Sequence, residues 1–177
     1  MKSAFVILAA LVIMAGAGVA AVRLAAAAAP PSASPKAVSA PAGKCGPRAV
    51  SVFGYIKSLT RSGDRYELRF DPAFLLSGAT ASQAALEDTG SPDVPNDNYV
   101  VQESKRAYTY LVPLDANVTV LTRTGRPPFG GTPISVEQLA RLVRGEQPIR
   151  LLEALGSGFW LRYANDTACS LDQQYRP

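Results

Sequence analysis

The sharpest pattern in the chain is Arg65-Tyr66-Glu67-Leu68-Arg69-Phe70-Asp71, where charged and apolar residues alternate with period two. It predicts a half-buried strand with Tyr66, Leu68 and Phe70 facing in and Arg65, Glu67 and Arg69 facing out. An apolar run over residues 50–56 precedes it, and Arg61-Ser62-Gly63-Asp64 between them reads as a turn, so the pair predicts a hairpin. Gly54 inside the first run marks a bulge or a close backbone approach. Residues 99–102, 107–112 and 117–122 predict further strands, and residues 159–163 and 168–175 a terminal hairpin about Asn165-Asp166. Tyr108, Tyr110 and Val112 share one strand face, whereas Phe159 and Trp160 point to opposite faces.

Two segments change to helical character. Residues 79–88 are Ala-rich and stop at Thr89-Gly90. Ser135-Val136-Glu137-Gln138 is a capping-box pattern, followed by an apolar face of Leu139, Leu142 and Val143 and closed by Gly145. About seven strands and two helices, without strand–helix alternation, predict a mainly β (α+β) fold. The expectation is a compact antiparallel β-barrel or strongly curved sheet with two short accessory helices, an OB-like barrel being one candidate.

This pattern is confined to residues 48–177, where 13 of the 14 aromatics lie. Residues 1–29 read as a signal peptide or N-terminal membrane anchor, because 19 uncharged, apolar residues run from Ala4 to Val22 after Lys2. Small residues over 25–29 suit signal peptidase, with cleavage after Ala27 or Ala28. Residues 30–47 read as an Ala/Pro/Ser-rich linker. Lys44 directly before Cys45 argues against a lipobox. The charge picture then shifts. The chain carries +4 overall, but from Cys45 onward 14 Lys and Arg meet 14 Asp and Glu. A formally neutral domain gives no electrostatic reason to expect nucleic acid. Membrane contact is expected through the N-terminal segment alone.

The chain has no His, which removes His-based triads, His metal ligands and His acid–base catalysis. No G-x-S-x-G elbow and no phosphate-binding Gly-rich loop occur, and neither a cofactor nor a resident metal is expected. Glu87, Asp88, Asp93, Asn96, Asp97 and Asn98 supply calcium-type oxygens, but not in EF-hand spacing. Glu67, Asp71, Glu87 and Asp88 could pair for glycoside hydrolysis on paper, but any domain with 14 acids permits this and solvated surface charge is the better account of them. The two cysteines carry a firmer expectation. Cys45 precedes the first strand and Cys169 lies in the last, and export places both in an oxidising compartment, so a Cys45–Cys169 disulfide follows. Between Asp93 and Tyr99, two Asp, two Asn and a Tyr exceed what turn chemistry requires. Asp93, Asn96, Asp97, Asn98 and Tyr99 therefore form either a polar contact surface for a ligand or a hydrogen-bonded plug that locks the fold.

Several of these segments resemble an uncharacterised family of small exported proteins of high-GC Gram-positive bacteria. The carriers are Gly54-Tyr55-Ile56, Tyr66 through Ala73, Glu87-Asp88, Val94 through Val100, and the ending Leu171-Asp172-Gln173-Gln174-Tyr175-Arg176-Pro177. The likeness covers about residues 50–177. It implies export and a shared fold but no reaction. The function expected is an exported, non-catalytic cell-envelope or secreted module whose partner is an unidentified envelope component or protein. The alternative is a carboxylate-based extracellular hydrolase acting on envelope material.

Overall fold

The computed structural model describes residues 45–102, 106–124 and 131–176. The leader, most of the linker and part of the Gly/Pro-rich loop over residues 123–132 lie outside them. Among the described residues eight strands are present: β1 (Val50–Ser62), β2 (Arg65–Ser77), β3 (Asn98–Val101), β4 (Tyr108–Pro113), β5 (Asn117–Val120), β6 (Thr132–Ile134), β7 (Phe159–Ala164) and β8 (Thr167–Gln173). Helix α1 (Gly78–Thr89) follows β2, and α2 (Val136–Val143) follows β6. The additional strand, β6, is three residues long with Pro133 at its centre. That is too short to show a period in sequence.

The sheet runs β3-β2-β1-β7-β8-β5-β6, and β4 bridges β2 to β8. The path β1-β2-β4-β8-β7 returns on itself, but β4 meets β8 through the single pair Leu111 and Thr167. The fold is thus a strongly curved sheet and not a true barrel. Nor is it wholly antiparallel, because β5 lies parallel to β8. The chain between them passes through α2 and β7, the long connection that parallel pairing requires.

Local chemistry explains the frame. Tyr66, Leu68 and Phe70 are buried, with Arg65, Glu67 and Arg69 exposed between them. Gly63 turns the β1–β2 hairpin with φ 63°. The β1–β2 register shifts between Ile56 and Ser58, so the bulge is at Lys57. Gly54 is instead the close approach: a Cβ there would collide with the Asp71 carbonyl. One edge of β2 serves two partners, β4 along Arg65 to Phe70 and β3 along Phe74 to Ser77. Pro72, with no N–H to offer, falls in the gap.

Helix α2 covers the main core. Ser135 Oγ accepts the Gln138 N–H at 3.1 Å, and the Gln138 side chain accepts the Ser135 N–H at 2.9 Å. Its far end closes as a Schellman motif, with Gly145 N–H on the Leu142 carbonyl and Glu146 N–H on that of Arg141. Val136, Leu139 and Ala140 pack with Phe70, Phe159 and Leu171. Phe53 is buried outside this cluster, its ring 5.8 Å from Tyr55 and 5.5 Å from Trp160. Phe159 is thus the core member of the Phe159-Trp160 pair.

Candidate functional site

A cleft of about 630 Å³ opens beside β3. Pro95, Asn96, Asn98, Tyr99 and Val100 form one wall; Glu153, Ala154, Gly156 and Ser157 with Arg176 form the other. Three of the five residues singled out in the 93–99 loop therefore line it.

The loop wall is shaped by its backbone. Helix α1 ends at Gly90, which donates to the Leu86 carbonyl at 3.0 Å. Pro95–Asp97 then makes a single 3₁₀ turn in which Asn96 and Asp97 adopt φ 54° and 57°. Asn and Asp are the non-glycine residues that enter this left-handed region most readily. Part of the Asn/Asp excess is thus a backbone requirement. Asn98 Nδ2 donates to the Asn96 carbonyl at 2.5 Å, and Tyr99 Oη donates to Asp88 Oδ2 at 2.6 Å. The hydrogen bond to the Asp88 carboxylate raises the Tyr99 pKa and ties the loop to α1. Asp93 engages Ser91 within a local turn and does not line the cleft. The exposed Asp97 side chain makes no hydrogen bond among the described residues and does not line the cleft either.

The opposite wall hangs on Gln173, at the end of β8. Its Nε2 donates to the carbonyls of Glu153 at 3.2 Å and Ala154 at 3.1 Å, and to Ser157 Oγ at 3.2 Å. Its Oε1 accepts the Leu121 N–H at 2.9 Å. The next residue, Gln174, accepts the Trp160 indole N–H at 2.6 Å. Arg176 then donates its backbone N–H to both Glu153 carboxylate oxygens, at 3.3 and 3.1 Å. Its Nη1 lies 3.4 Å from the Tyr55 hydroxyl. Glu153, Gln173 and Arg176 were not identified by the patterning; the only signal at the last two was the resemblance across residues 171–177.

The other acids go elsewhere. Asp71 is 1% exposed, with Oδ2 2.9 Å from Lys57 Nζ and 2.6 Å from Gln102 Nε2, while its Oδ1 has no hydrogen-bond partner among the described residues. Glu67 points outward from β2, and Glu87 accepts from Gln83 on the exposed side of α1. None of Glu67, Asp71, Glu87 or Asp88 lines the cleft. Among the described residues, no group of three His, Cys, Asp or Glu side chains could hold a metal ion. Cys45 and Cys169 form the expected disulfide, with Cα atoms 5.4 Å apart, joining the segment before β1 to β8. Comparisons with protein-family models, with curated proteins and with solved structures find no match for this chain.

Proposed function

We propose that the protein is an exported, non-catalytic module of the cell envelope or its surroundings, which holds a ligand in the cleft beside β3. One observation carries this reading. The polar loop around Asn96 and the terminal segment around Arg176, far apart in sequence, meet as the two walls of a single cleft. Each wall is fixed by side-chain hydrogen bonds yet leaves polar groups facing the opening, the arrangement expected of recognition on a rigid β-scaffold. The Cys45–Cys169 bridge supports an oxidising location, as does the apolar run over residues 4–22.

The test has two arms. Fractionation of the host should place the protein outside the cytoplasmic membrane with no alkylatable thiol. Isotope-labelled protein titrated with solubilised envelope fragments should show amide shifts concentrated at residues 95–100 and 153–157. A cytoplasmic, reduced protein, or shifts scattered away from the cleft, would overturn the reading.

A further inference from the structure

The sheet ends in two edge strands, β3 and β6. Natural edges are blunted by brevity, proline or charge. Strand β6 has two of these devices, three residues and Pro133. Strand β3, Asn98-Tyr99-Val100-Val101, carries neither proline nor charge, and among the described residues it pairs with β2 alone. Its alternate N–H and C=O groups are directed away from β2. Asn98, Tyr99 and Val100 of this strand line the cleft. The cleft therefore runs along an unpaired strand edge of about 13 Å, given about 3.3 Å per residue.

The charges across the cleft say what the edge would receive. Asp88 is engaged by Tyr99, and Glu153 by the Arg176 backbone N–H. The Arg176 guanidinium reaches a neutral partner, the Tyr55 hydroxyl, and forms no ion pair among the described residues. Glu153, whose carboxylate accepts the Arg176 backbone N–H, also lines the cleft, but the guanidinium itself is paired with no described carboxylate and is complementary to an acidic group brought by a ligand.

We infer that the cleft binds an extended acidic peptide segment, added as a strand to the free edge of β3 and held by a carboxylate on Arg176. This rests on the cleft being the recognition site and names the class of its ligand. Strand addition supplies backbone hydrogen bonds at any sequence, and the arginine supplies the side-chain preference.

The test pans a displayed library of short random peptides against the oxidised full-length protein. Enriched peptides should share one Asp or Glu position, with β-branched or aromatic residues at alternate positions. A synthetic copy should slow amide exchange across residues 98–101, and backbone N-methylation of the copy should abolish its binding. Arg176→Gln should weaken the acidic peptide about tenfold or more and leave its Glu→Gln counterpart unchanged. The inference is overturned if no peptide is enriched, if bound peptide leaves β3 exchange unaltered, or if Arg176→Gln affects acidic and neutral peptides alike. Envelope saccharides shifting the cleft while no peptide does would sink the ligand class and spare the module. Peptide binding at β3 with envelope fragments silent would do the reverse.

Discussion

Replacing Gln173 by Met tests whether one buried amide supports the cleft wall. Met has similar length and flexibility, so the packing volume is nearly kept and the hydrogen bonds are what is removed. The first loss is the acceptor of the Leu121 N–H, at 2.9 Å. Leu121 is 3% exposed, so water cannot replace that acceptor, and an orphaned buried donor costs about 1–3 kcal/mol. The second loss is the Nε2 donor to Glu153, Ala154 and Ser157. Those groups lie in exposed or half-buried residues and regain water, which limits the net cost to about 1 kcal/mol. The sum is about 2–4 kcal/mol, or a Tm about 6–15 °C lower for a domain of this size. Urea unfolding at constant m-value gives the energy. Amide exchange gives the location: the Ser157 and Gly158 amides, bonded to the carbonyls of Ala154 and Leu155, should lose protection along with Leu121. A loss below about 0.5 kcal/mol, within the range of ordinary surface substitutions, would refute this account of the wall.

Gly54→Ala drives a Cβ into the Asp71 carbonyl and should cost about 3 kcal/mol or more, read as lost yield or a much lower Tm. The Cys45→Ser, Cys169→Ser double variant opens a bridge with a sequence separation of 124, worth about 5 kcal/mol of loop-closure entropy, so its urea midpoint should fall steeply. At Asp97, φ 57° implicates the backbone: Asp97→Ala should cost about 1 kcal/mol, while Asp97→Asn and Asp97→Gly stay within about 0.5 kcal/mol of the parent. Burial, with Tyr163 beside it, pushes the Tyr110 pKa up to about 12 from 10.0. The fold favours the neutral phenol and the unfolded chain ionises first, so this contribution is intact below pH 10 and lost as pH rises towards 12. Ultraviolet titration should show a late tyrosine component that is lost in Tyr110→Phe and is separate from that of Tyr99, which Asp88 also raises.

Elements governed by neighbours in sequence were legible. The alternation around Leu68, the Ser135 capping box and the Asn165-Asp166 turn each depend on a few adjacent residues, and each lies where the pattern puts it. Features governed by distant partners were not. Nothing near β2 announces that one edge serves both β3 and β4, or that the bulge falls at Lys57 and not at Gly54. The cleft divides the same way. The Asn96, Asn98 and Tyr99 wall stood out as a local polar excess, though Asp93 and Asp97 in that excess turn out to serve local conformation. Gln173 is a single polar residue in an ordinary strand. Its role exists only through partners about 20 and 50 residues away, to which local periodicity is blind.

One strand accounts for how both walls come to face each other. Strand β8 pairs with β7 and β5, touches β4, and is bonded through Cys169 to the segment that begins β1. It thus has fixed neighbours on both sides before the chain reaches Gln173. An apolar residue there could only have packed inward with Leu171, leaving the 153–157 turn unsupported. The amide of Gln173 reaches from the same buried position to that turn, and the residues after it carry Arg176 to the mouth of the cleft. The β3 wall needs no such staple, because β3 is held by its ladder to β2 and by the Tyr99–Asp88 bond to α1. The cleft is therefore held by a covalently tied strand on one side and a paired edge strand on the other; loosening β3, which gives the α2-covered core no residue, should widen it with that core intact, whereas loosening β8 withdraws Leu171 from the core itself.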